Sequence, residues 1–366
     1  MQLGDGIILK IEVYTPTIKR KEMDAVLTAL VEDNVGPGEL MQSLIHVAKE
    51  FLQFDVCLAL RSPALALYLA LRSLQLEDGQ GVVVSALSPG YYDQVCAALR
   101  LRLLYCDVPR GTAVISRETI EAAMHRTENS LKPGCIVVNH TLGYWPDMPG
   151  IAELGLPIIE DCSRSFKIPM QSFGMFSILG LEERDVLTAG GGALLYGTGR
   201  NGAVLRGLPI LNECSLPDLN AAMGIIQFKE AAKNQNKRAE IASIYKQAAL
   251  RTRHRIFTQG DGEVNSVEAE NSLSLSDEAV LSQDYNNYSF SLILETGMKD
   301  VKAYAKRQNI AVESAFDDTL IGQGLVSMEE CPESNSLFLR TALFPLYPRL
   351  RADEIERVAK LITTLP

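Results

Sequence analysis

The sequence predicts an α/β protein. A large three-layer domain with a mostly parallel sheet runs through residue 238, and a smaller α+β domain fills residues 239–366. Three observations carry this. Short apolar runs rich in β-branched residues alternate with helical patterns between residues 55 and 197, as in a sheet buried on both faces. The pattern changes after residue 215 to one long helical stretch and then a mixed segment. A chain of 366 residues is also too long for one small core and suits a large domain with a smaller companion.

The elements follow in order. Residues 20–31 have helical apolar spacing, and a second helix covers 39–52 after the turn VGPG. DVCLAL at 55–60 is a strand. Pro63 then opens a helix, ALALYLALRSL, that is apolar on most sides and therefore buried. VVVSAL is the next strand, followed by the loop SPGYY and the helix DQVCAALR. LRLLYCDV is a strand, and SRETIEAAMH is a helix with a Ser-x-x-Thr start. CIVVNH, LPIIED and ALLYG are three more short apolar strands that end in polar residues. Residues 215–250 read as one long helix whose leading Ser-x-x-Asp resembles a cap, with Pro217 obscuring its start. NYSFSLILET alternates like a strand, and helices follow at KDVKAYAKRQ and RADEIERVAKLITTL. Residues 256–298 contain no Lys or Arg, and the acidic part, 256–283, reads as an exposed connection that could equally contact a partner protein.

Composition narrows the function. A net charge of −10 disfavours nucleic-acid and anionic-membrane partners, though not a local basic pocket. Hydrophobic residues at 47% and charged residues at 22% are an ordinary globular balance. The seven cysteines sit mostly in apolar runs with no CxxC pair, which points to buried free thiols and a cytoplasmic setting. No signal peptide is visible at MQLGDGIILKIEV, and no apolar run reaches the ~18 residues of a membrane span. Four scattered histidines without Cys/His clusters argue against a metal site.

In sheets of this kind ligands bind beyond the carboxyl ends of the strands. The positions to watch are therefore Ser62, Tyr91, Tyr92, His140, Asp161 and the loop 177–190.

Five stretches, in this order, resemble the DegT/DnrJ/EryC1/StrS sugar aminotransferases, pyridoxal-phosphate (PLP) enzymes of fold type I. They are HTLGYWPDM at 140–148, LPIIEDCSRSF at 156–166, GMFSI with TAGGGALL, PDLNAAMGIIQ at 217–227 and FPLYPRLRADEIERVAKLI at 344–362. The resemblance covers nearly the whole chain. It implies an aminotransferase-like fold, a homodimer, and a nucleotide-linked keto sugar as ligand, made for surface polysaccharides or antibiotics. It also implies a lysine that forms an imine with PLP, an aspartate on the pyridine nitrogen, phosphate-binding serines and a stacking aromatic.

Carried over residue by residue, Asp161 falls on the pyridine aspartate and Ser177 on the phosphate serine, while Tyr91 or Tyr92 lies near the stacking aromatic. The residues alone also allow Asp161 to cap the following turn, Ser177 to be a plain loop serine, and the tyrosines to be packing groups. The family's Ser-Gly-Thr turn is Ser62-Pro63-Ala64 here, which lacks an N–H and a hydroxyl. Arg164 replaces the glutamine after the aspartate and adds a charge near the ring or phosphate site. The Asn-Tyr-Arg that reaches the partner subunit's site is replaced by Glu213-Cys214-Ser215.

The largest departure is the lysine. Counting back from the glycines, its position holds Arg184, and the loop carries about two extra residues. A guanidinium stays protonated and forms no imine. No lysine occurs between residues 168 and 228, so the nearest substitutes are Lys167 and Lys229.

Three functions stand open. One is a degenerate relative that keeps fold and dimer, binding a nucleotide sugar, PLP non-covalently, or neither. Another is a dehydratase using pyridoxamine phosphate (PMP), which needs no lysine but does need a base. Arg184 is unsuited to that role, and His140 sits beside a different strand. An ordinary transaminase with an unexpected lysine is the third case. No residue is assigned a catalytic role outright.

Overall fold

The computed structural model describes residues 10–126, 131–165, 173–258, 288–295 and 297–366. Helices α1 (Arg20–Val31) and α2 (Glu39–Leu52) precede β1 (Val56–Leu60). There follow α3 (Pro63–Ser73), β2 (Gly81–Ser85), α4 (Tyr91–Ala98), β3 (Arg102–Cys106), α5 (Arg117–Arg126), β4 (Pro133–Asn139), α6 (Met148–Ala152) and β5 (Ile158–Asp161). Next are β6 (Phe176–Gly180), β7 (Ala193–Gly197), α7 (Gly199–Arg206) and the long α8 (Asp218–Ala249). The last part holds β8 (Phe290–Ile293), α9 (Met298–Arg307), β9 (Glu313–Ser314), α10 (Pro332–Arg340), β10 (Thr341–Phe344) and α11 (Ala352–Thr363).

The large sheet has seven strands in the order β1-β7-β6-β5-β4-β2-β3. The contacts β6-β5-β4-β2-β3 are parallel, while β7 lies antiparallel between β6 and β1. Its two faces are covered separately. On one, Phe176, Ile178, Ala193 and Leu195 pack with Ala66, Leu67 and Ala70 of α3. On the other, Leu179, Leu194 and Tyr196 pack with Leu44 and Ala48 of α2 and Phe228 of α8. The apolar character of α3 on most sides follows, since Ala66, Leu67 and Ala70 are fully buried.

A second core lies around the three-stranded sheet β8-β10-β9. It gathers Ile241 and Tyr245 of α8 with Val301, Val358 and Leu361. Ile11 belongs to it too, through a parallel bridge to Ile310. The single helix α8 therefore serves both cores, with Phe228 in one and Tyr245 in the other.

Some local expectations hold and others need correction. Ser116 and Thr119 form the reciprocal cap of α5, Thr119 N–H donating to Ser116 Oγ at 3.3 Å and Ser116 N–H to Thr119 Oγ1 at 3.1 Å. The cap anticipated for α8 does not form, because Pro217 is its N-cap and no side chain bonds there. Asp218 caps a different helix. Its carboxylate accepts from Gly38 N–H at 2.9 Å, Leu40 N–H at 3.1 Å and Met41 N–H at 2.8 Å, closing the start of α2. Strand β6 is fully buried although Ser177 and Gly180 interrupt its apolar run. Helix α7 carries two glycines, and a Cβ on Gly202 would stand 2.9 Å from Gly197 O. Both elements exist through packing rather than local preference. Most of the acidic 256–283 segment lies outside the described residues.

Candidate active site

The parallel strands deliver their polar residues to one edge of the sheet. Asp161 ends β5 and is 1% exposed. Its Oδ1 accepts from Ser163 N–H at 3.0 Å and Ser163 Oγ–H at 2.5 Å. Its Oδ2 accepts from the Tyr92 hydroxyl at 2.6 Å and the Tyr91 hydroxyl at 3.2 Å. The two tyrosine rings open α4 and meet edge-to-face with centroids 5.1 Å apart. Burial, with Asp161 beside them, raises both tyrosine pKa values well above the usual range, so both hydroxyls stay protonated and donate. The sequence places either Tyr91 or Tyr92 near the site. The fold brings both to the same carboxylate oxygen.

The loop after β6 is laced to itself. Glu182 N–H donates to Asp185 Oδ2 at 2.9 Å, and Glu182 Oε1 accepts from Gly192 N–H at 3.3 Å. Val186 N–H donates to Ser163 O at 3.3 Å. Gly190, Gly191 and Gly192 all have positive φ, at 72°, 139° and 117°. A Cβ on Gly192 would overlap Leu216 and stand 3.1 Å from Leu60 O, which is why the three glycines of TAGGGA stand together. Glu182 and Asp185 close a turn in this loop, Asp185 N–H donating to Glu182 O at 3.1 Å.

Asp185 is the unexpected member. It is 7% exposed, and its carboxylate fills the space that a Cβ on Gly180 would take, beside Ser163. Burial lifts its pKa to about 7, the Glu182 N–H and Arg164 opposing that rise and Asp161 adding to it.

Arg184 stands at the outer turn of the loop. Its guanidinium bonds Glu313 of β9 at 2.8 Å, with the two side chains 57% and 36% exposed. Its backbone carbonyl accepts from the Tyr288 hydroxyl. Arg164 reaches Asp318 at 2.7 Å. Three contacts thus tie the sheet edge to the segment that follows α8.

The remaining expected residues make other contacts. Ser62 is the N-cap of α3, where its Oγ accepts from Leu65 N–H at 3.2 Å. Ser177 is buried in β6 opposite Tyr196, whose hydroxyl it meets on the α2/α8 face. His140 is completely buried. Its Nε2 lies 3.3 Å from Glu160 Oε2, and its ring stands edge-on to Trp145 at 4.4 Å. Glu160 also accepts from the backbone N–H groups of Phe173 and Gly174. The fold does gather His140, Glu160 and Cys162 so that one ligand-type atom of each lies within 4.8 Å of the others. Burial pushes the Cys162 thiol well up. Lys229 is exposed on α8, Cys214 and Ser215 flank the edge of β1, and Lys167 lies outside the described residues.

Four of these residues have no sequence signal. Tyr288, Glu313 and Asp318 come from a segment far along the chain, and Ser163 is an unremarked serine two residues after Asp161. Asp185 could have been noticed from its place beside Arg184.

Among the described residues no helix is long and apolar enough to cross a membrane. All seven cysteines are free thiols.

Comparison with known proteins places this geometry in context. The model of the DegT/DnrJ/EryC1/StrS aminotransferase family matches residues 16–181 and 210–363. EpsN of Bacillus subtilis, a candidate pyridoxal phosphate-dependent aminotransferase, is 23% identical over 271 residues, or 65% of this chain and 68% of that protein. Spr1654 of Streptococcus pneumoniae, a candidate sugar aminotransferase solved in PMP and PLP forms, shares the fold. Its TM-score is 0.80 at 15% identity over 95% of this chain and 96% of that one. The dehydratase ColD, which acts on GDP-4-keto-6-deoxymannose and was solved with GDP-perosamine, has a TM-score of 0.77 at 14% identity, covering 96% of this chain and all (100%) of that one.

Proposed function

The chain belongs to the DegT/DnrJ/EryC1/StrS aminotransferase family, and we propose that within it this protein is a member that no longer forms an imine with PLP. It keeps the fold and a sugar-binding cleft. One observation carries the reading. Both oxygens of Asp161, the residue aligned with the pyridine partner, are already taken by the Tyr91 and Tyr92 hydroxyls and by Ser163.

The other positions agree with it. A pyridinium N–H would have to displace at least one of these donors from Asp161, leaving it without its acceptor at a cost of about 1–3 kcal/mol. Ser62 spends its hydroxyl on capping α3, and Pro63 offers no N–H to a phosphate. Ser177 is engaged with Tyr196. Arg184 cannot form an imine and is paired with Glu313. The residues present therefore do not fit PLP as the family holds it.

The PMP-dependent dehydratase is the second reading, prompted by the shared fold with ColD. It needs an accessible base. His140 is buried against Glu160 and does not meet that need. The ligand is a sugar, as in the nucleotide-linked sugar bound by the dehydratase relative. A homodimer, a cytoplasmic setting and a division of the chain near residue 238 belong to the same proposal.

The test is an absorbance spectrum of the purified protein with PLP, before and after borohydride, followed by intact mass. No new band and no mass increase is the expected result. A borohydride-fixed adduct would overturn the reading, and peptide mapping would then decide between Lys167, Lys229 and another lysine. Saturable binding of PMP, with conversion of a nucleotide keto sugar, would establish the dehydratase instead.

A further inference from the structure

Beside the filled cofactor position the cleft stays open. A cavity of about 380 Å³ lies between the loops after β4, β5 and β6 and the segment that follows α8. Its size is at the low end of the range for small-molecule sites, roughly 300–1,000 Å³. That is room for a single sugar ring rather than a whole nucleotide sugar.

The chemistry of the walls is uneven. Three cations (Arg164, Arg184, Lys302) and three carboxylates (Glu313, Asp317, Asp318) line it, so its formal charge balances. Two of the cations are spent on two of the acids, in the pairs Arg164–Asp318 at 2.7 Å and Arg184–Glu313 at 2.8 Å. Lys302 differs. Its ammonium bonds only the hydroxyl of Ser314, at 2.9 Å, and among the described residues no carboxylate pairs with it. An ammonium has three donors and no acceptor, so two remain to be met. The partly exposed cleft supplies water to them, and an oxyanion would bind them more strongly. The paired carboxylates keep lone pairs for ligand hydroxyls, and their arginines hold them in place. Asp317 is exposed to bulk water, so a ligand need not face it.

We propose that this cavity binds a monosaccharide carrying one acidic group, a carboxylate or a phosphate, with Lys302 holding the acid. The Arg164–Asp318 and Arg184–Glu313 pairs take the ring hydroxyls. This rests on the reading of a member without PLP chemistry, because the site is the cleft's own remaining space.

Isothermal titration of the full-length protein tests it, with glucuronate, glucose 1-phosphate, glucose and inorganic phosphate as probes. At least one acidic sugar is expected to bind about tenfold or more tighter than glucose, and Lys302→Met is expected to remove that difference. Lys302→Gln, which keeps a polar side chain, guards against a packing artefact, and far-UV circular dichroism of both variants guards against misfolding. Glucuronate and glucose 1-phosphate separate the carboxylate source from the phosphate source. Equal affinity for glucose, no effect of either substitution, or no binding of any sugar overturns the proposal. Inorganic phosphate binding as tightly as glucose 1-phosphate removes the sugar from it. A PLP adduct in the borohydride experiment would overturn the parent reading. Acidic-sugar binding that survives such an adduct would show that the two stand apart.

Discussion

The hydroxyl of Tyr92 donates to Asp161 Oδ2 at 2.6 Å, in a spot with no exposure to water at Tyr92 and almost none at Asp161. A buried carboxylate needs donors, and in this chain the protein supplies them itself. Tyr92→Phe removes one donor to this buried carboxylate and should destabilise the fold by about 1–3 kcal/mol. Tyr91→Phe should cost less, because its bond is longer at 3.2 Å and its ring is partly exposed. Urea midpoints of the two variants check the order. A larger loss for Tyr91→Phe would show that the two hydroxyls are not ranked as their bond lengths rank them.

Gly180 and Asp185 share one space. A Cβ at 180 would overlap the Asp185 carboxylate and crowd Ser163 Oγ at 2.7 Å. Gly180→Ala should therefore cost about 1–3 kcal/mol from overpacking. Asp185→Ala should cost its own amount, since Glu182 N–H loses its acceptor. The double variant should be more stable than the sum of the single losses predicts, by about 1 kcal/mol or more. Simple additivity in a double-mutant cycle would mean that the two positions do not compete.

Asp185 should also set a pH slope. Its pKa is about 7 in the folded protein, raised chiefly by burial, against about 3.9 in an unfolded chain. Between these values the folded state binds more protons than the unfolded one, so stability falls as pH rises. The contribution is complete below pH ~4 and lost above pH ~7. The Glu182 N–H and Arg164 oppose the rise and moderate the slope, while the charges of Asp161 and Glu182 add to it. Asp185→Asn keeps an acceptor for Glu182 N–H and removes the titration. Its stability relative to the parent should climb across this window, by on the order of a few kcal/mol. A constant difference from pH 4 to 8 would contradict it.

Arg184→Lys should not restore a borohydride-fixed PLP adduct. The side chain at 184 is 57% exposed and paired with Glu313. The substitution should change stability by less than about 1 kcal/mol, since the pair is exposed and screened. Intact mass after borohydride and a thermal melt together check both parts. A stoichiometric adduct would show that only the residue type, and not the loop, stops imine formation.

The large fold was legible because burial on both faces forces strands to be continuously apolar, and that pattern survives in VVVSAL, CIVVNH and ALLYG. Strand β6 was not legible, because Ser177 and Gly180 break the run that its neighbours β5 and β7 bury. The polar residues at the strand ends were legible from the sequence, and their partners were not. Asp161 could be named from its place after LPIIE, but nothing local shows that two consecutive tyrosines 70 residues earlier fill both donor directions of one oxygen.

By itself, then, the sequence determined the layers of the fold and the family resemblance, since these depend on residue types and spacing along the chain. Tertiary structure decided what fills the cleft. Asp218 caps α2 instead of its own helix, Asp185 takes the space in front of Gly180, and Glu313 and Asp318 arrive from beyond α8 to neutralise Arg184 and Arg164. Hydrogen bonds and ion pairs act over a few ångströms in space, and the partners here are separated by up to 180 residues in sequence, so their meeting is set by packing and not by pattern.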